Sequence, residues 1–170
     1  MRPSKLVLLI GMVVAINAVT LQDLKSALHT PQKVWIRYRS FERHTSGHKH
    51  TCIYNEIRSL RPMSYLIIQH YEVDWRWRSQ EAHALLYERR PGPIMRLSQK
   101  QGTRGIEYTL LFWHPVEHCA VFHRPYEGKN ECEMWVWGDH VRGQVPQCYL
   151  AYKRHCSVQY TVYTLQCGNP

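Results

Sequence analysis

Cysteine, histidine and a carboxylate set among tryptophans are the groups here whose types and spacing could do chemistry. Cys132-Glu133-Met134-Trp135-Val136-Trp137 joins two of them in one run. On a strand, successive side chains point to opposite faces, so Glu133, Trp135 and Trp137 share one face and Cys132, Met134 and Val136 the other. A carboxylate beside an indole is equipped to hold a cation, by ion pair and by cation–π contact. The six cysteines are Cys52, Cys119, Cys132, Cys148, Cys156 and Cys167, with no C-x-x-C pair among them. That pattern argues against zinc and for disulfides, if the compartment is oxidising. Of eleven histidines, His44, His48 and His50 share one turn, and His114 and His118 share another. Without a clear carboxylate or further ligand they read as solvated loop residues, and no metal is expected. The chain has no G-x-S-x-G, P-loop, H-E-x-x-H or dinucleotide fingerprint, and paired cysteines leave no thiolate nucleophile. The expectation is a binding protein, with no enzymatic activity and no cofactor.

The compartment is read from the first residues. Arg2 and Lys5 precede an unbroken apolar run of 11 residues, Leu6 to Ile16, with small residues around Ala18 and Thr20. A membrane span needs ~20 apolar residues, so this is expected to be a secretory signal peptide over residues 1–20. Residues 21–170 then form one domain, about 150 residues, large enough for a sizeable core. Losing Arg2 and Lys5, with no acid, takes the net charge from +9 to +7. The basic residues are scattered rather than blocked, which fits a solvated surface better than a nucleic-acid site.

The elements that must position these groups alternate in hydrophobicity. Leu21, Leu24, Ala27 and Leu28 have helical spacing, ended at Thr30-Pro31. Lys33–Phe41 then reads as a strand, with Val34, Ile36 and Tyr38 on one face and Trp35, Arg37 and Arg39 on the other. Further strands are expected over 50–57, 64–73, 81–88, 94–99, 106–114, 118–124 and 132–138. Turn residues separate them, as in Arg89-Arg90-Pro91-Gly92-Pro93. Pro146 opens a helix over 145–156, and 158–167 is strand-like again. About eight strands without a crossover helix suggest an all-β up-and-down barrel or a sandwich. The strand aromatics fill its core or line a cavity.

Cys119-Ala-Val, then Cys132-Glu-Met-Trp, then Val-Pro-x-Cys148 and a helix ending at Cys156 resemble the tick salivary lipocalins, the histamine-binding family. The Trp35-x-x-Tyr38-Arg39-Ser40 strand and the final cysteine agree, and the resemblance spans essentially the whole mature chain. It implies an eight-stranded antiparallel up-and-down barrel with a short N-terminal and a C-terminal helix. It also implies the pairs Cys52–Cys167, Cys119–Cys148 and Cys132–Cys156. The implied activity is secretion as a monomer and capture of a small host mediator, blunting the inflammatory response. Glu133 and Trp135 are then the candidate ligand contacts, with Tyr38, Phe41, Tyr108 and Trp113 lining the cavity.

Histamine or another biogenic amine is the family default. This chain departs from the amine pattern at Ala120, where amine binders carry an acid, so a second acidic site cannot be built there. Glu133 is the retained acid. Its partner is either a ligand ammonium or an arginine across the barrel, Arg37 or Arg39. The second case suits an anionic lipid such as a leukotriene or fatty acid, and the basic residues before Cys52 agree with it. A host complement or immune protein bound on the outer surface is a further alternative.

Overall fold

The computed structural model describes residues 18–168, so most of the expected signal segment lies outside the described residues. After helix α1 (Leu21–Leu28) come β1 (Val34–Arg39), β2 (His44–Thr45), β3 (His48–Lys49) and β4 (Thr51–Arg61). Then follow β5 (Ser64–Val73), β6 (Arg76–Tyr87), β7 (Ile94–Ser98), β8 (Ile106–His114), β9 (Cys119–Tyr126) and β10 (Lys129–Trp137). Helix α2 (Pro146–His155), the short β11 (Tyr160–Thr161) and a 3₁₀ turn at Leu165–Cys167 complete the chain. Antiparallel neighbours run in the order β10-β9-β8-β7-β6-β5-β4-β1, and β10 pairs back onto β1. The result is a closed eight-stranded barrel rather than a sandwich. Closure leaves no free edge around the barrel wall.

Helix α1 closes one end. Thr20 caps it: its Oγ1 accepts from the Asp23 amide at 3.2 Å and its own amide donates to Asp23 Oδ2 at 2.8 Å. This reciprocal arrangement satisfies two helix-end groups. Leu24, Ala27 and Leu28 pack into an inner core with Val34, Ile36, Ile67, Met95, Leu110 and Phe122. A second core lies outside the wall. There α2 lays Cys148, Ala151 and Tyr152 over Val121, Met134 and Val136. Val145 gives α2 no side-chain cap. Glu117, from the β8–β9 turn, replaces it by accepting from the Gln147 amide at 3.0 Å and the Cys148 amide at 3.2 Å.

All six cysteines are paired, Cys52–Cys167, Cys119–Cys148 and Cys132–Cys156, as the family resemblance implies. The last two bind α2 to β9 and β10. Among the described residues no helix is long and apolar enough to cross a membrane.

Strand β1 departs from simple alternation. Ile36 pairs with Trp135, then Tyr38 with Met134 and Arg39 with Glu133, leaving Arg37 as a bulged residue. An extra residue reverses the parity of everything after it. Tyr38 is therefore corrected to the outer face, where its ring meets Tyr149 and Tyr152 of α2. Arg39 turns inward. The Arg37 carbonyl accepts from the amides of Val162 and Tyr163, and β11 takes over from β4 as the neighbour of β1.

Candidate functional site

β1 and β10 run antiparallel from the α1 end, where Val34 faces Trp137, to the opposite end, where Arg39 faces Glu133. Period two then places Glu133 inward with Trp135, as the sequence pattern requires. Glu133 is fully buried (0% exposed), and Arg39 is 2% exposed. Arg39 Nε lies 3.0 Å from Glu133 Oε1, and Arg124 Nη1 lies 3.4 Å from the same oxygen. Trp135 Nε1 donates to Oε2 at 2.8 Å. Arg124 also donates to the Tyr108 hydroxyl at 2.8 Å. Phe41 stacks on Tyr126 with ring centroids 4.3 Å apart, and the guanidiniums of Arg39 and Arg124 lie 5.0 and 5.1 Å from its ring.

Electrostatics follow from burial against charge. Burial alone raises the Glu133 carboxyl, but Arg39 and Arg124, with the hydrogen bonds from Trp135 and Arg124, together hold it below its ordinary range. Burial, reinforced by the Glu133 charge, pushes the Tyr108 hydroxyl up to about 12, against the opposing pull of Arg124, Arg39 and Arg43. Tyr108 therefore stays a neutral phenol. The cluster holds two positive charges and one negative in the buried interior. Arg39 Nη2 is buried and makes no hydrogen bond among the described residues.

A pocket of about 180 Å³ opens beside the cluster at the end of the barrel away from α1. Tyr108, Arg124 and Arg43 line it, with Gln69 and Gln80 as polar groups and Ile67, Leu97 and Ile106 as apolar walls. The barrel centre itself is filled by the inner core. Trp113 does not join the cluster. It lies at the α1 end, 5.6 Å from Trp137, in a cleft of about 620 Å³ under the helix.

The structure thus brings together Glu133, Trp135, Tyr108 and Phe41, and separates Trp113 and Tyr38 from them. Arg39 belongs to the cluster; Arg37, the other candidate, donates outside the barrel to the Gly143 carbonyl at 2.6 Å. Arg124 and Arg43 complete the site although no motif marks them. For Arg124 a signal was available: Ala120, Phe122 and Arg124 share a parity, and Phe122 lies opposite Glu133 in the β9–β10 register.

Three comparisons bear on this geometry. Japanin from Rhipicephalus appendiculatus, solved bound to cholesterol, superposes with a TM-score of 0.57 at 14% identity, covering 83% of this chain and 98% of japanin. The AM182 serotonin complex gives a TM-score of 0.62 at 14% identity, covering 85% and 92%. The siderocalin Ex-FABP, described as functioning through dual ligand specificities, gives 0.54 at 13% identity, covering 79% and 93%. At these identities the likeness speaks for the lipocalin-type barrel. No curated protein sequence matches. The sequence model of the tick histamine binding protein family matches residues 17–169, nearly the whole chain. With the barrel, two helices and three disulfides in place, the chain belongs to the tick histamine-binding protein family.

Proposed function

We propose that this chain is a secreted, non-catalytic carrier that sequesters a small mediator bearing a carboxylate, of the fatty-acid or eicosanoid kind, at the arginine end of its barrel. Family membership supports small-molecule capture, as do the cholesterol and serotonin bound by its structural neighbours. The observation that carries the choice of ligand is the pairing of Glu133 with two guanidiniums. An amine would need that carboxylate for itself, because a desolvated ammonium requires a paired anion. Here it is already shared, and the surplus charge is positive. A ligand carboxylate in the pocket would pair with Arg124 and Arg43, which line it, and offset the extra charge, while Ile67, Leu97 and Ile106 take the first carbons of its tail.

Calorimetry with histamine, serotonin, a leukotriene and a long-chain fatty acid tests this on the disulfide-intact protein. The acids are expected to bind at one equivalent and the amines not to bind. Arg124→Met is expected to weaken acid binding by about 2–5 kcal/mol, the usual cost of removing one partner of a buried charge pair. Amine binding that Glu133→Gln abolishes, with no acid bound, would replace this reading by the amine one. Product formed beyond one equivalent of ligand would overturn the carrier mechanism itself.

A further inference from the structure

We propose that His118, Asp139 and His140 form a binding site for a divalent transition-metal ion of the zinc or copper class. The site is separate from the arginine cluster and independent of the ligand proposed for it. The sequence groups His118 with His114 in one turn, but the topology pairs it elsewhere. β9 and β10 meet with Cys119 opposite Val136, so the turn before β9 lies against the turn after β10. The Trp137 amide donates to the His118 carbonyl at 2.9 Å and ties the two turns together. His114 instead accepts from the Glu117 amide through Nδ1 at 3.1 Å.

The side chains converge. His118 Nδ1 lies 2.9 Å from Asp139 Oδ2, and His140 Nδ1 lies 2.9 Å from Asp139 Oδ1. The three ligand atoms all lie within 4.8 Å of one another. Zinc holds imidazole nitrogen and carboxylate oxygen at about 2.0–2.2 Å, which sets neighbouring ligand atoms roughly 3 Å apart, so a small turn of one imidazole closes the set. The supports are already fixed. The His118 ring stacks on Trp137 with centroids 4.3 Å apart, and the Asp139 amide donates to Gln32 Oε1 at 2.8 Å. His118 also takes a left-handed backbone, φ 45°, which turns its side chain across the hairpin end.

The donor set defines the ion. Two imidazoles and one carboxylate suit zinc, copper or nickel rather than calcium or magnesium, which take mainly oxygen. Three protein ligands leave a position for water or an outside ligand. The side chains are about a third exposed, at 29%, 37% and 36%, while the His140 Nδ1 atom itself is buried, so an ion reaches it as the imidazole turns. Two other groupings among the described residues, His123–Cys132–Cys156 and Glu117–Cys119–Cys148, have their sulfurs locked in disulfides. The His118–Asp139–His140 group keeps all its ligand atoms free of covalent bonds.

The experiment uses the untagged, disulfide-intact protein stripped with a chelator. ZnCl2 is titrated by calorimetry, and CuCl2 by tryptophan fluorescence, since copper held by His118 sits against the Trp137 indole and quenches it. One equivalent of each metal is expected. His118→Ala, His140→Ala and Asp139→Asn are each expected to weaken binding at least about tenfold and remove the saturable quenching. His48→Ala and His114→Ala serve as controls and should change neither. Thermal unfolding without metal checks that each variant is folded. Should one misfold, the visible absorption of the Co2+-loaded parent chain, expected to show nitrogen and oxygen ligation, decides in its place. No one-equivalent binding, or binding that His118→Ala and His140→Ala leave intact, overturns the proposal.

Discussion

On the outer face of β10, Cys132, Met134 and Val136 lie under α2, tied to it by a covalent bond and apolar contact. One residue along, on the inner face, Glu133 is just as buried but is held by charge. The outer face is held mainly by the disulfide and by apolar packing, with the Glu117 carboxylate capping α2 and His123, held below its ordinary range by burial, beside the bridge. The inner face is stable only while its three charges stand together. A buried ion cluster is often no more stabilising than apolar residues of the same volume. Stability alone therefore does not account for the arginines, and the place of Arg124 in the lining of an open pocket is what makes the cluster a candidate for binding.

Four variants test this contrast, beginning with the largest effect. Glu133→Leu leaves two guanidiniums buried without their anion and should cost about 3–5 kcal/mol in denaturant unfolding. The triple replacement Glu133→Leu, Arg39→Met, Arg124→Met should recover most or all of that loss while abolishing acid binding. Acid should separate the faces as well. A carboxyl held below its ordinary range when folded binds its proton more weakly there than in the unfolded chain. Its stabilisation is complete above the unfolded value of about 4.3 and is lost as pH falls towards the folded one. The parent chain should therefore lose stability below about pH 4.3 more steeply than the triple variant. An equal slope would show that Glu133 is not the titrating group.

The outer face should respond next. Cys132→Ala with Cys156→Ala opens a bridge spanning 24 residues and should cost about 3–4 kcal/mol in the chain-entropy description. That loss should be the same at pH 4 and pH 7, and a pH-dependent loss would mean that the bridge is coupled to a titrating group: Glu117 at the α2 cap, His123 beside the bridge, or Glu133 through the wall. The smallest effect is expected from Glu117→Ala. It removes the carboxylate that caps α2 from a neighbouring turn and should cost about 0.5–2 kcal/mol by thermal unfolding. A change below that range would mean that water caps the helix equally well.

Much of this arrangement is legible in the sequence because it follows from short periods. The alternation from Cys132 to Trp137 assigns both faces of β10 correctly, and Pro146 marks the start of α2. Where the pattern fails, a single residue is responsible. Arg37 is an ordinary strand residue with no glycine to mark a bulge, yet it reverses the parity of β1, sending Tyr38 out and Arg39 in. Strand β5 keeps the expected bounds 64–73, but its partner β6 starts at Arg76 rather than Glu81, because residues 76–81 are exposed and mostly polar, so no hydrophobic alternation announces them. Likewise 158–167 reads as a strand, but only Tyr160–Thr161 pairs, because the rest wraps into the outer core and the 3₁₀ turn. The His118–Asp139–His140 group depends on two turns meeting in space, which no local pattern encodes.

The placement of β1 has a consequence in time. It is the first barrel strand to leave the ribosome, yet its partners β10 and β11 are nearly the last. Arg39 pairs with Glu133 and Tyr38 with Thr161. At a synthesis rate of about 5–20 residues per second, the wait for β10 alone is roughly 5–20 s. Throughout that interval β1 offers an open row of amides and carbonyls to any passing strand. Closure of the barrel thus waits for β10: a nascent chain stopped short of Lys129 has no partner for that edge of its first strand, and one stopped short of Tyr160 still leaves the Tyr38–Arg39 end without β11.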